Sequence, residues 1–87
     1  METLTVQDRV LALVKSILVE NSISANVHPE IRLVDAGLNS MDMVKLMLEL
    51  EAEFDFTIPQ SEITPENFQS VKSLELMIVR QLGSSAA

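Results

Sequence analysis

Few side chains in this sequence could take part in chemistry, and Ser40 stands out among them by its setting. The 87-residue chain has no cysteine, one histidine and two glycines, so it lacks a thiolate, a cysteine-ligated metal site and a glycine-rich phosphate loop. The histidine, His28, precedes a proline, and the sequence pairs it with no nucleophile. A calcium loop beginning at Asp35 would need different residues where Gly37 and Leu46 stand. We therefore expect neither catalysis nor a metal site.

Ser40 follows the turn Gly37-Leu38-Asn39 and opens a segment with helical periodicity. The N-terminus of a helix has unpaired backbone N–H groups and the positive end of the helix dipole, so a phosphate attached to Ser40 would be favourably placed. The alternative is that the hydroxyl only caps the helix, which position alone favours over a modification.

The predicted helix over residues 40–54 has apolar side chains on two sides. One sector, the width of a normal core face, contains Met43, Leu46, Met47, Leu50 and Phe54. A polar stripe on the other side contains Asp42, Lys45, Glu49 and Glu53. A second apolar strip contains Met41, Val44, Leu48 and Ala52. Three alternatives remain open for this strip: the preceding loop covers it, the helix is buried on both sides, or the strip is a docking surface.

Negative charge is concentrated around the same helix. The chain has 13 Asp and Glu against 6 Lys and Arg, a formal charge of −7, and Lys45 is the only cation between Asp42 and Glu66. Such a balance argues against nucleic acid and favours a partner with a basic protein surface. No apolar run approaches the roughly 18 residues of a membrane span, and residues 1–4 lack the basic region of a signal peptide. A cytoplasmic location is expected.

The remaining segments predict a small all-α protein. A first helix is expected from Thr5 to Asn21, opened by a capping box between Thr5 and Asp8, and the long segment 22–39 is expected to be a loop tied to the core by its apolar side chains.

Two further helices are expected after residue 59. Thr64-Pro65 opens a short third helix, and Ser70 caps a last helix that Gly83 ends, leaving a frayed tail over 84–87. No segment alternates as a strand. We therefore predict one domain over residues 1–83, a four-helix bundle with three longer helices and one short third helix.

The sequence resembles acyl carrier proteins in the order of several motifs. The run Gly37-Leu38-Asn39-Ser40-Met41-Asp42 is similar to the Asp-Ser-Leu-type motif that opens the second helix of that family. Residues 46–55 resemble its Leu-Glu-x-Glu-Phe-Asp segment, and Ile58-Pro59 its Ile-Pro turn. Residues 64–71 resemble the end of its third helix and the start of its fourth. The ordered combination, which covers the whole domain, carries the resemblance.

The resemblance implies a carrier with a 4′-phosphopantetheine arm attached to Ser40, whose thiol holds an acyl or aminoacyl group as a thioester. It implies three kinds of partner: a phosphopantetheinyl transferase, a loading ligase, and a downstream acyltransferase or synthase with a basic docking patch. It also implies a monomer. The partner-contacting positions of the family correspond to Met41, Asp42, Val44, Lys45, Leu48, Glu51 and Glu53.

Two departures from the fatty-acid carriers indicate a specialised member. Asn39 and Lys45 stand where those carriers commonly have Asp and Glu, and a like charge at an interface rejects wrong partners. The first expectation is an acyl carrier of a dedicated lipid or secondary-metabolite pathway. The alternatives are a stand-alone aminoacyl or D-alanyl-type carrier and an unmodified acidic helical adaptor for a basic protein. A serine-nucleophile enzyme is less favoured than these, since the sequence shows no base or oxyanion arrangement.

Overall fold

The computed structural model describes residues 5–23 and 27–86, and within these ranges every regular element is helical. Helix α1 (Val6–Glu20) begins at the predicted capping box. The Asp8 N–H donates to Thr5 Oγ1 at 3.0 Å, and the Thr5 N–H donates to the Asp8 carboxylate at 3.4 Å. The inward face of α1 buries Val10, Val14, Ile17 and Leu18.

Helix α2 (Leu33–Ala36) is a single four-residue turn inside the segment that the sequence predicts to be a loop. It is too short to show a hydrophobic period, which is why the pattern missed it. Leu33 and Ala36 are buried, and the Leu33 N–H donates to the Gln69 carbonyl at 2.8 Å. The Lys72 N–H donates to the Pro29 carbonyl at 2.8 Å. The connection is therefore bonded to the start of the last helix.

Helix α3 (Ser40–Phe54) has the predicted limits and the predicted core face. Leu46, Leu50 and Phe54 are buried, and Met43 and Met47 pack against the core from its edge. Asp55 ends the helix in the left-handed conformation, with a φ of 54°. The connection that follows contains a 3₁₀ turn at Gln60–Glu62.

Helix α4 (Val71–Ala86) begins directly after Ser70, whose hydroxyl caps it as predicted. The Ser73 N–H donates to Ser70 Oγ at 3.2 Å, and the Ser70 N–H donates to Ser73 Oγ at 2.9 Å. The expectation that Gly83 ends this helix is wrong, because α4 continues to Ala86. A glycine lowers helix stability by about 1 kcal/mol but keeps its N–H, so it does not by itself stop a helix.

The predicted short third helix at Thr64-Pro65 is also absent, because residues 65–68 form turns. The Asn67 N–H donates to Thr64 Oγ1 and the Phe68 N–H to the Thr64 carbonyl, both at 3.1 Å. The capping pattern is thus real, but only one turn follows it. The all-α architecture of three long helices and one short helix is confirmed, with the short helix second in order.

The core lies between the three long helices. Its fully buried side chains include Leu46 and Leu50 of α3 together with Leu74, Met77 and Ile78 of α4. Within the described ranges, no helix has the length and apolar character that a membrane crossing needs.

Candidate functional site

Ser40 is the first residue of α3 and is exposed. The residue that caps the helix is Asn39, because its Oδ1 accepts the Asp42 N–H at 2.9 Å while the Asp42 carboxylate accepts the Asn39 N–H at 3.0 Å. The alternative that the Ser40 hydroxyl only caps the helix is therefore wrong. Its hydroxyl makes no hydrogen bond with any residue that the structure describes.

The capping box leaves two backbone donors beside that hydroxyl. It satisfies the N–H groups of Asn39 and Asp42, whereas those of Ser40 and Met41 donate to no residue in the described ranges. Two free N–H groups at the positive end of a 15-residue helix suit an attached phosphodiester. The Asn39 side chain is neutral, so the carboxylate of the capping box is that of Asp42, which is already bonded to Asn21 and the Asn39 N–H. The residues around Ser40 therefore fit a phosphate-linked group.

The turn before Ser40 is fixed by a glycine and a leucine. Gly37 ends α2 with a φ of 118°, a conformation that side chains with a Cβ rarely adopt. A Cβ at this position would lie 3.0 Å from Ile23 Cδ1. Leu38 is buried in the core directly after the turn. Together they place Ser40 at the surface where α3 starts.

Asp42 differs most from its expected role as a partner contact. Its exposed fraction is 8%, and Asn21 Nδ2 donates to both of its carboxylate oxygens at 3.0 Å. The hydrogen bond from Asn21, followed by that from the Asn39 backbone, lowers the pKa of the Asp42 carboxyl. Asp42 thus has a structural role at the start of α3. The spacing of Asn39 and Asp42 matches the capping-box pattern that predicts the start of α1, whereas the bond from Asn21 could not be predicted locally, because Asn21 lies 21 residues away in sequence.

The second apolar strip is exposed along its whole length. The exposed fractions of Met41, Val44 and Leu48 are 79%, 53% and 57%, and Ala52 is also exposed. Neither the preceding loop nor a second helix covers the strip within the described residues. Of the three alternatives, an available surface is the one that the structure retains.

Two apolar clefts share Met43 of α3, and one of them also includes Val44 of the second apolar strip. One has a volume of about 330 Å³ and is lined by Arg32, Val34, Met43, Pro65, Phe68 and Gln69. The other has a volume of about 240 Å³ and is lined by Met43, Val44, Met47, Ile63, Thr64, Pro65 and Phe68. The sequence could not indicate them, because most of their walls come from the irregular segments that pack beside α3.

The charged residues expected to contact partners are largely engaged within the chain. Lys45 Nζ pairs with Glu20 of α1, which raises the pKa of Lys45. Its charge is therefore already balanced, and the expected rejection of wrong partners by a free cation loses support.

Two of the expected acidic contacts are likewise engaged. Glu51 accepts the Ile58 N–H at 2.8 Å, and Glu53 accepts from Arg9 Nε at 2.8 Å. Glu49 was not among the expected contacts, yet it makes no ion pair or hydrogen bond with any described side chain. The signal that could have identified it was its place in the polar stripe beside Leu48.

The remaining candidates for chemistry are a metal site and the single histidine. The described ranges contain no group of three or more His, Asp and Glu that could hold a metal ion. His28 is exposed and directly precedes the turn at Pro29 and Glu30.

The sequence matches the family model described as a phosphopantetheine attachment site over residues 8–78. Aminoacyl carrier protein 2 of Bradyrhizobium diazoefficiens is 64% identical over 83 residues, which is 95% of this chain and 93% of the relative. Aminoacyl carrier protein 1 of the same organism is 62% identical over 82 residues, covering 94% and 91%.

Two solved structures contain similar carriers. In the complex of Bradyrhizobium japonicum glycine:[carrier protein] ligase with its cognate carrier protein and an analogue of glycyl adenylate, the matched chain has a TM-score of 0.77 and 64% identity, covering 87% of this chain and 99% of that one. In the complex with glycylated carrier protein, the TM-score is 0.74 and the identity 67%, covering 83% and 97%. With a family match over most of its length and relatives this similar, the chain belongs to the proteins that carry a covalent 4′-phosphopantetheine, and it is a carrier rather than an enzyme.

Proposed function

We propose that this protein is a stand-alone aminoacyl carrier whose phosphopantetheine arm is attached to Ser40. The attachment site is supported by the Ser40 hydroxyl, which is exposed at the first residue of α3. The hydroxyl does not cap the helix, because Asn39 is the cap. The two free N–H groups of Ser40 and Met41 would accommodate the phosphate charge. Since the chain has no cysteine, the thiol of the arm has to supply the thioester.

The aminoacyl cargo is supported by the relatives. Two carriers that share more than 60% of their residues with this chain are aminoacyl carrier proteins, and a related carrier was crystallised in a glycylated form. This favours the aminoacyl alternative over the specialised acyl cargo that was the first expectation from the sequence. Glycine is the first amino acid to test.

The partners of this carrier are a phosphopantetheinyl transferase, an aminoacyl-loading ligase and a downstream acceptor enzyme. The second apolar strip would dock against their apolar surfaces, with Glu49 available for a basic residue at its edge. The ligase in the related complexes supports a separate loading enzyme.

Intact-protein mass tests the attachment site first. Incubation with coenzyme A and a broad-specificity transferase should add one phosphopantetheine to the wild type and none to Ser40→Ala. An unmodified wild type, folded by circular dichroism and tested with several transferases, would instead favour the unmodified acidic adaptor.

The loaded cargo is tested on the modified protein. With ATP and a glycine:[carrier protein] ligase, we expect a hydroxylamine-sensitive glycyl thioester, and no thioester when an acyl-loading ligase receives a fatty acid. Acylation without glycylation would instead support the hypothesis of a specialised acyl cargo.

A further inference from the structure

One side chain of α1 reaches the first turn of α3. Asn21 ends α1, and its backbone N–H donates to the carbonyls of Ile17 and Leu18 at 3.1 Å. Its side chain Nδ2 donates to both carboxylate oxygens of Asp42, at 3.0 Å each. Asn21 is thus held to one helix by its backbone and bonded to the other by its side chain.

The Asp42 carboxylate is also part of the capping box. Oδ2 accepts the Asn39 N–H at 3.0 Å, while the Asp42 N–H donates to Asn39 Oδ1 at 2.9 Å. These two bonds close a ring that includes the backbone of Ser40 and Met41. The bonds from Asn21 hold one corner of that ring, so they connect the body of the protein to the residues on either side of the Ser40 hydroxyl.

We infer that Asn21 is a positioning residue for phosphopantetheine attachment, which fixes the Asp42 carboxylate and, through the capping box, the backbone of Ser40. The inference rests on the proposed attachment at Ser40. Asn21 makes no hydrogen bond to Ser40, so its effect passes through Asp42 alone. A displacement of about 1 Å at a reacting group can reduce a rate about a hundredfold, which makes such a distant support measurable.

The test compares Asn21→Ala and Asn21→Asp with the wild type in transfer from coenzyme A, followed by intact mass. We expect kcat to fall about tenfold for Asn21→Ala and further for Asn21→Asp, since a second carboxylate would face Asp42. The KM for the carrier should change less than about twofold, because the second apolar strip is untouched.

A double variant tests whether the hydrogen bond between positions 21 and 42, rather than the identity of Asn21, determines the transfer rate. Asn21→Asp combined with Asp42→Asn exchanges the two groups, so that the amide now donates from α3 and the carboxylate accepts on α1. The new amide oxygen can still accept the Asn39 N–H. We expect kcat within about threefold of the wild type, well above that of Asn21→Asp alone.

The control variant removes a contact between α1 and α3 at the opposite end of α3. Arg9→Gln removes the contacts of Arg9 with Glu53 in the last turn of α3, far from Ser40. Its transfer rate should remain that of the wild type. Hydrogen exchange in the unmodified protein gives a second readout: the Asp42 N–H should exchange faster in Asn21→Ala and not in Arg9→Gln.

The outcomes separate this inference from the proposed function. A wild type that accepts no phosphopantetheine defeats both. Normal modification of the wild type with equally fast transfer in Asn21→Ala and unchanged exchange at Asp42 overturns the positioning role and leaves the carrier function intact. An equal loss in Arg9→Gln also overturns it, because general loosening of α1 against α3 would then explain the effect.

Discussion

At the scale of single residues, the Ser40 hydroxyl is free because each of its neighbours takes on a different task. Gly37 provides the left-handed turn, Leu38 anchors the chain in the core, and Asn39 caps α3. Asp42 completes the capping box and bonds α3 to α1. The proposed attachment at Ser40 needs a hydroxyl without a structural role, and the structural roles of these four neighbours leave it free.

Replacing each of the two glycines by alanine should change the free energy of unfolding in opposite directions. Gly37→Ala should lower the free energy of unfolding by about 1–3 kcal/mol, because alanine strains a φ of 118° and its Cβ would meet Ile23. Gly83→Ala is the matched control, since it lies in α4 with no atom within 4 Å of the added Cβ, and it should raise stability by about 0.5 kcal/mol. Chemical denaturation measures both; an unchanged Gly37→Ala would contradict the strain argument.

Asp42 should make stability depend on pH in the acid range. Because hydrogen bonds from Asn21 and Asn39 lower its folded pKa, its contribution is present above the unfolded pKa and is lost as pH falls through the folded pKa. The stability difference between wild type and Asp42→Asn should therefore shift in favour of the variant between pH 7 and pH 3 (about four units, spanning the ordinary carboxyl range). Parallel denaturation curves at both pH values measure this shift, and a constant difference would refute it.

At the scale of elements, α3 is held to α1 at both ends. Near its C-terminus, the Arg9 guanidinium lies 4.3 Å from the Phe54 ring centroid and donates to the Glu53 carbonyl at 2.7 Å. Arg9→Ala should lower the free energy of unfolding by about 1 kcal/mol, since a cation–π contact and hydrogen bonds are lost from a half-exposed site. Lys15→Ala, which removes an exposed cation of α1 that has no ion pair in the described ranges, should change stability by less than about 0.5 kcal/mol. Thermal denaturation compares the two, and equal losses would assign no special role to Arg9.

The exposed side of α3 should determine loading by the ligase. Leu48→Asp should reduce kcat/KM for aminoacylation by more than about tenfold. Replacing a central apolar contact of an interface by a charged side chain commonly weakens binding by over about 1.4 kcal/mol. Leu76→Asp places the same charge on α4, where Leu76 is 49% exposed against 57% for Leu48, and should leave loading unchanged. Similar losses in both variants would indicate docking through another surface.

The sequence predicts the long helices well and the short-range irregular structure poorly. The limits of α1 and α3 follow from periodicity and capping, because each helix buries one face over 15 residues. Helix α2 depends on a bond to a distant residue, from the Leu33 N–H to the Gln69 carbonyl, and the capping pattern at Thr64 is followed by a single turn where the sequence predicts a helix. Periodicity identified the second apolar strip but could not decide whether another segment covers it. The engagement of Asp42 by Asn21 was equally out of reach.

At the scale of the whole molecule, most cationic side chains form ion pairs with carboxylates of the same chain. Five of the six Lys and Arg side chains pair with a carboxylate of the same chain, and Lys15 is the exception within the described ranges. The charge of −7 is therefore presented to partners mainly as free carboxylates, with Glu49 beside the second apolar strip. A surface of this kind suits the proposed docking, in which charge attracts a basic protein at a distance and apolar side chains make the close contacts.

This division of roles predicts how phosphopantetheine attachment depends on salt. Raising ionic strength from about 20 mM to about 300 mM should lower kcat/KM for the transferase at least about tenfold, because the longer-range attraction is screened. Glu49→Gln should lower the low-salt value and flatten the dependence, whereas Glu30→Gln, which removes an exposed acid before α2, should leave the dependence near that of the wild type. Initial rates by intact mass measure all three proteins. A kcat/KM independent of salt would show that the negative surface has no part in bringing the enzymes together, and apolar docking along α3 would then have to account for recognition alone.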